Sequence, residues 1–168
     1  GKSVTLTNWA TKLSIIDKVP ILYIDTEMNH REQEDRILSN LSGVPFNEII
    51  SGTYVLDTDN GVAEDKVQRV NRAKQALKSG QYYHVYMPHF SIEKVTSIAK
   101  KYQIQHGIKA VFFDYIKIAS NQTNNFRNMQ EFQSLGFFAS GLKDLAGNLN
   151  IPVFSSAQAN RDELGNIN

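Results

Sequence analysis

Ala110-Val111-Phe112-Phe113-Asp114 is the stretch that decides the fold, because four apolar residues are followed at once by an acid. A short, continuous apolar run predicts a strand that is buried on both faces of a sheet. Two other runs have the same design: Ile21–Asp25, followed by Thr26-Glu27, and Ile151–Ser155, followed by Gln158. Each run places polar residues at its carboxyl end. The pattern therefore predicts an open α/β sheet with a ligand at that edge.

Helical patterns alternate with the apolar runs along the chain, which favours parallel strands joined by crossover helices on both faces of the sheet. The first helix is predicted from Lys2 to about Ile16, with Trp9 facing the core. Asn29 and Glu32 predict a capping box at the start of a second helix. The predicted strands are Pro20–Asp25, Tyr82–Met87, Lys109–Asp114 and Ile151–Ser155.

The composition indicates one globular domain over residues 1–168, with 41% hydrophobic and 21% charged residues. The formal net charge is +1, so overall basicity gives no sign of a nucleic-acid partner. The chain has no cysteine, which excludes a disulfide framework and a thiolate zinc site. No apolar run is long enough to predict a transmembrane helix.

Gly1-Lys2-Ser3 matches the end of the phosphate-loop pattern G-x-x-x-x-G-K-[ST]. In such a loop the lysine reaches the β- and γ-phosphates, and the serine hydroxyl binds Mg²⁺. Asp114 fits the acid that holds Mg²⁺ at the end of a central strand. Taken singly, the tripeptide could begin an ordinary helix and Asp114 could cap a turn. Their combination favours a site for ATP and Mg²⁺.

Two further side chains are predicted at this edge of the sheet. Glu27 could polarise an attacking water as a general base, and Asp25, on the same face of the strand, competes for that role. The alternative for Glu27 is a place in the acidic first turn of the next helix. Gln158 could contact the γ-phosphate and report hydrolysis, or it could be a solvated loop residue. The four histidines lack a zinc-binding spacing and are predicted to be structural or solvated.

In order and spacing, these segments resemble the RecA-like motor domain of DnaB-type replicative helicases, a group that includes phage proteins. Gly1-Lys2-Ser3 is similar to the end of the family's Walker A loop. Leu22–Met28 resembles the family segment that ends in S-L-E-M, and Arg36–Val44 with Ile49–Gly52 resembles the segment that follows it. Phe113–Ile118 resembles I-D-Y-L-Q-L, with Lys117 in place of Gln. Leu142–Val153 resembles L-K-x-L-A…L-x-V-P-V, and Ser156–Arg161 resembles S-Q-L-N-R with one residue inserted or shifted.

The resemblance implies an ATP-hydrolysing, hexameric DNA helicase motor with a RecA-like P-loop NTPase core. It implies that Glu27, rather than Asp25, is the catalytic base, and that Gln158 senses the γ-phosphate. It also implies ATP binding by Gly1, Lys2 and Ser3, and Mg²⁺ binding by Ser3 and Asp114.

The resemblance further implies single-stranded DNA as a partner, contacted by the loop Ser120–Asn128 through Arg127. A homo-hexamer, a primase and a helicase loader are the other implied partners. The implied location is the cytoplasm, either of a bacterium or of a phage-infected host cell.

Two alternatives remain. One is a RecA- or RadA-type recombinase or a clock-type RecA-like ATPase, which shares the core and the site; the L-K-x-L-A and S-x-A-Q-x-N-R segments argue against it. The other is a non-catalytic helicase-loading or assembly module, from a binding class, against which an intact Glu27 argues.

The chain is expected to be a fragment that lacks half of the phosphate loop, the strand before it, the arginine finger and the main DNA loop. That strand is expected to lie between Lys109–Asp114 and Ile151–Ser155. Residues 1–168 alone are therefore expected to bind ATP poorly, to form no active hexamer and to unwind no DNA.

Overall fold

The computed structural model describes residues 2–56, 62–116 and 127–157. Within these ranges, parallel strands form one sheet in the order β2-β1-β3-β4. All residues of β1 and nearly all of β3 are buried, as their continuous apolar runs predict. The predicted parallel sheet is confirmed, with the bounds β1 Ile21–Asp25, β2 Tyr82–Tyr86, β3 Ala110–Ile116 and β4 Val153–Ala157.

Strands β3 and β4 are direct neighbours, so the expectation that an absent strand separates them is wrong. Val111 pairs with Val153 and Phe112 with Phe154, and Val111 N donates to the Pro152 carbonyl at 3.0 Å. Strands in a ladder lie only about 4.8 Å apart, which leaves no room for another strand. Strands that follow each other in sequence, here joined by a single helix, usually lie side by side. Within the described residues, the open edges of the sheet belong to β2 and β4.

Helices cover both faces of the sheet, as predicted. Successive β1 residues alternate between the two faces. Leu22 and Ile24 pack towards α5 and α6, whereas Ile21 and Tyr23 pack towards α1. A third apolar cluster joins α2, α3 and α4. The helices are α1 Lys2–Thr11, which continues as a π-helical segment Lys12–Ile16, α2 His30–Ser42, α3 Phe46–Ser51, α4 Val62–Ser79, α5 Ile92–His106 and α6 Arg127–Leu149, with a 3₁₀ turn at Thr53–Val55.

The capping box at the start of α2 is confirmed. The Asn29 side chain accepts from Glu32 N at 3.1 Å, and the Glu32 carboxylate accepts from Asn29 N at 3.0 Å. This pair fixes the start of the helix at His30, because it satisfies amides that the first turn leaves free. Glu27 therefore precedes α2, and the alternative that placed it in the first helical turn is wrong.

Trp9 is 58% exposed, so the prediction that it faces the core is wrong. The buried stripe of α1 consists of Leu6, Thr7, Ala10 and Thr11, and Trp9 lies to one side of it. Its ring contacts Phe154 of β4 edge to face, with the centroids 6.3 Å apart. The ring is exposed because β4 is the outermost strand at this side of the described sheet. Among the described helices, none is long and apolar enough to cross a membrane.

Candidate functional site

The ends of β1 and β3 lie side by side because the two strands run in parallel register. Asp25 pairs with Asp114, and Thr26 N continues the ladder by donating to the Asp114 carbonyl at 2.8 Å. The residues that follow β1 therefore lie beside the last residues of β3, at the carboxyl edge of the sheet. This register brings Glu27, after β1, to Tyr115, whose hydroxyl lies 2.8 Å from its carboxylate.

Asp114 is the best-connected acid at this edge, and it is only 3% exposed. Its Oδ1 accepts hydrogen bonds from Ser3 Oγ and from Ser156 Oγ, each at 3.1 Å. Its Oδ2 accepts from the Tyr23 hydroxyl at 2.9 Å. Side chains from α1, β1 and β4 thus converge on one carboxylate. The structure brings together Ser3 and Asp114, the pair that the sequence singled out.

Tyr23 and Ser156 were missed as site residues by sequence reasoning. Burial, assisted by the nearby Asp114 carboxylate, raises the pKa of Tyr23 well above its ordinary value. The phenol therefore stays protonated and donates a hydrogen bond to Asp114. A buried chain of polar side chains continues from Tyr23 to Thr7 at 3.2 Å, and from Thr7 to Gln33 at 3.3 Å. The available signal was the position of Tyr23 as the polar-tipped residue inside the otherwise apolar stretch Ile21–Ile24.

The oxygen atoms around Asp114 fit a magnesium ion. One carboxylate and the hydroxyls of Ser3 and Ser156 converge there. No cluster of three or more His, Cys, Asp or Glu side chains suited to a metal occurs in the described ranges. A cation at Asp114 would therefore complete its shell with waters and phosphate oxygens, which is how Mg²⁺ is usually bound beside a nucleotide.

Asp25 and Glu27, the two competitors for the role of base, have different environments. Asp25 is 1% exposed, and its Oδ1 accepts from Glu27 N at 2.8 Å and from Met28 N at 2.7 Å. Burial raises the pKa of Asp25. Asp25 therefore caps the turn that follows β1, away from solvent. The Glu27 side chain is less enclosed and accepts from the Tyr115 hydroxyl in an exposed contact. The geometry thus favours Glu27 for contact with a water molecule.

A histidine pair lies beside Asp25. His84, on β2, has a side chain that is 2% exposed, and its Nε2 is 4.0 Å from Asp25 Oδ2. Its Nδ1 is 3.3 Å from Nδ1 of His30. Burial, followed by the neighbouring His30, lowers the pKa of His84 to about 4, so the ring is neutral at physiological pH. His84 is thus a buried polar neighbour of the turn that Asp25 caps.

Four of the predicted site residues are not described at the level of their side chains. Gly1 and Gln158 lie outside the described residues. Lys2 is the first residue of α1 and Arg127 the first of α6, and both side chains lie outside the described part. Arg127 was predicted to lie in the loop before this helix, so the helix begins two residues earlier than expected.

Comparison with known proteins gives a consistent result. The family model for the DnaB-like helicase C terminal domain matches residues 1–165. The replicative DNA helicase DnaB of Treponema pallidum (strain Nichols) is 22% identical over 165 residues, which cover 98% of this chain and 35% of that protein. The chain thus spans about a third of the length of this curated relative.

Two solved structures share the fold. One is the structure of a DnaB-like replicative helicase and its interactions with primase. It superposes with a TM-score of 0.75 at 14% identity, and the match covers 98% of this chain and 39% of that chain. The other is described as an ATPase domain; it has a TM-score of 0.73 at 14% identity and covers 93% of this chain and 54% of that chain.

Proposed function

Because the chain belongs to the family of DnaB-like helicase C-terminal domains, we propose that it is the motor part of a replicative helicase, which hydrolyses ATP to translocate on single-stranded DNA and unwind the duplex at the fork. The observation that carries this proposal is the 3.1 Å bond between Ser3 Oγ and Asp114 Oδ1, which lie 111 positions apart in sequence. It brings the end of the phosphate-loop pattern to the acid on β3, the pairing that a nucleotide site requires.

The residues at this edge divide the binding of ATP and Mg²⁺ between them. Ser3 and Asp114 would hold Mg²⁺, which when bound bridges phosphate oxygens and neutralises their charge. Tyr23 and Ser156 keep the Asp114 carboxylate in one orientation, because each donates to it a hydrogen bond. Lys2 and the backbone of Gly1 are proposed to contact the phosphates, on the strength of the loop pattern.

Glu27 is proposed as the general base of hydrolysis. It would accept a proton from a water molecule while the oxygen of that water bonds to the γ-phosphorus and the bond from that phosphorus to the bridging oxygen of ADP breaks. Its carboxylate lies beyond β1, next to the part of β3 where Asp114 stands. Gln158 is proposed to sense the γ-phosphate, because it follows β4, whose Ser156 contacts Asp114.

The partners follow from the family. We infer a homo-hexamer acting on single-stranded DNA, with Arg127 near the strand. A primase is a proposed partner because one structural neighbour is described with its primase interactions. A helicase loader is proposed from the family resemblance alone. The family match over residues 1–165 favours the helicase over the recombinase and over the loading module.

A substitution at Glu27 tests the proposal in the full-length protein. Glu27→Gln should retain ATP binding and lose at least about two orders of magnitude in turnover, the usual contribution of a general base. Lys2→Ala should instead weaken nucleotide binding. Glu34→Gln is the matched control, since it removes the same charge from an exposed position on α2. The measurements are ATP turnover, nucleotide affinity and unwinding of a forked duplex. Wild-type turnover in Glu27→Gln would refute the assignment of the base.

A further inference from the structure

Tyr115 is the residue after Asp114, and the side chain of Glu27 rests against it. Its hydroxyl donates to Glu27 Oε1 at 2.8 Å, across 88 positions of sequence. A glutamate has three rotatable side-chain bonds, so an unrestrained Glu27 carboxylate would sample many positions. A tyrosine has only two and carries a rigid ring. The contact therefore joins a flexible side chain to a stiff donor.

The backbone of Tyr115 is itself tied to the residue before Glu27. Thr26 Oγ1 donates to the Tyr115 carbonyl at 3.3 Å and accepts from Tyr115 N at 3.4 Å. Thr26 N also donates to the Asp114 carbonyl at 2.8 Å. Three hydrogen bonds thus hold β3 to the residue that follows β1, next to the Tyr115–Glu27 contact. They restrain the backbone from which the Tyr115 ring extends.

The phenol hydroxyl of Tyr115 is the donor of this contact, because an ionised carboxylate can only accept hydrogen bonds. A carboxylate accepts on both of its oxygens, so a bond to Oε1 is compatible with a water molecule held by the other oxygen.

We propose that Tyr115 is a positioning residue for hydrolysis, holding the Glu27 carboxylate in the orientation from which it takes the proton of the attacking water. The inference rests on the proposed role of Glu27 as the base. A bound substrate needs the base within hydrogen-bond reach of the water, and a flexible glutamate meets that condition only part of the time without a fixed partner. In this role Tyr115 acts on the reaction through Glu27.

The test is Tyr115→Phe in the full-length protein, a change that keeps the ring and removes only the hydroxyl. We expect kcat for ATP hydrolysis to fall about tenfold, the scale of a misplaced catalytic group, while KM changes by less than about twofold. The matched control is Tyr86→Phe, at the end of β2, where the residue is 46% exposed. That change should leave kcat and KM as they are. Thermal unfolding of both variants checks that each one is folded.

A double variant separates this inference from the proposed function. If Tyr115 acts through Glu27, adding Tyr115→Phe to Glu27→Gln should lower kcat by less than about twofold further, because the group to be positioned is already gone. A full tenfold loss in the double variant would overturn the inference, as would an unchanged or increased kcat in Tyr115→Phe or an effect confined to KM. Wild-type turnover in Glu27→Gln alone would overturn the proposed base and the positioning role together. A strong loss in Glu27→Gln with none in Tyr115→Phe would overturn the positioning role only.

Discussion

Three carboxylates at one edge of the sheet acquire different chemistry from their immediate donors. Asp25 receives two backbone amides and is enclosed. Asp114 receives three hydroxyls, from Ser3, Tyr23 and Ser156. Glu27 receives a phenol in an exposed contact. A hydrogen bond to a charged group is worth about 1.5–3 kcal/mol, so these donors set the role of each acid. Asp25 stabilises the turn after β1, whereas Glu27 remains accessible to solvent.

The buried His84 gives a prediction on pH and stability. Its pKa is lowered from 6.5 to about 4, chiefly by burial, so the unfolded chain binds its proton more readily than the folded chain in that window. The stabilising contribution is complete above pH 6.5 and is lost as pH falls towards 4. Between pH 7 and pH 5 we expect the wild-type free energy of unfolding to fall by about 2 kcal/mol more than that of His84→Gln.

Urea unfolding of both proteins at the two pH values measures this difference. The raised pKa of Asp25 changes the free energy of unfolding with pH in the opposite direction. Because Asp25 is present in both proteins, its contribution largely cancels when the two are compared. Equal losses in wild type and His84→Gln would show that His84 is not the group that titrates.

At this scale the sequence predicts residues that belong to a local pattern and misses those that depend on strand register. Ser3 and Asp114 stand in recognisable motifs, and the structure joins them. Tyr23 and Tyr115 reach their partners only because β1 and β3 pair in one register, which no local signal specifies. Trp9 was placed wrongly for a related reason: helical periodicity shows which face is apolar and not how far the sheet beneath it extends.

The packing of α5 against α6 depends on one glycine. A Cβ at Gly141 would overlap the Cγ1 atom of Ile92 on α5. Gly147, on the same helix, has no atom within 4 Å of the position where its Cβ would stand. The sequence shows only that both residues lower helix propensity. The structure shows that the first permits a close approach between helices and the second does not.

Alanine at the two glycines should therefore have opposite effects. Gly141→Ala should lower the free energy of unfolding by about 1–3 kcal/mol, because Ile92 must leave its packed position. Gly147→Ala should raise it by up to about 1 kcal/mol through helix propensity. Denaturant midpoints compared with wild type measure both changes. If Gly141→Ala stabilised the protein as much as Gly147→Ala, the close contact would be disproved.

Element boundaries can be predicted where a residue type has a specific local role. Asn29 and Glu32 form the predicted box. Gly43, Gly52 and Gly107 end helices in the left-handed conformation, which glycine adopts without steric cost. The order of the strands was not predicted, and one neighbour was misplaced. A continuous hydrophobic run shows that a strand is buried, but it does not show which strands lie beside it. The runs of β1 and β3 are similar, so the sequence does not indicate which of them is the neighbour of β4.

For the whole molecule, the order β2-β1-β3-β4 places the two strands that carry the candidate site in the interior of the sheet. Both β1 and β3 are paired on each side, and β1 is buried throughout. The outer strand β2 is only partly buried. Stability is therefore distributed unevenly, because interior strands open only when most of the domain opens.

Hydrogen exchange measures this distribution. In the full-length protein, the amides of Ile21–Asp25 should exchange at least about tenfold more slowly than those of Tyr82–Tyr86. Peptide-resolved mass spectrometry over a time course separates the two strands. Equal protection of β2 would mean that its outer edge is covered in the full protein.

The convergence of three hydroxyls on Asp114 has a mechanical consequence. Asp114 and Tyr23 stand on the two interior strands of the described sheet, whereas Ser3 stands on α1 and Ser156 on β4, an edge strand of that sheet. Strands that are paired on both sides move less readily than elements at an edge. Any rearrangement of this cluster would therefore be taken up first by α1 and β4, while Asp114 and Tyr23 keep their places.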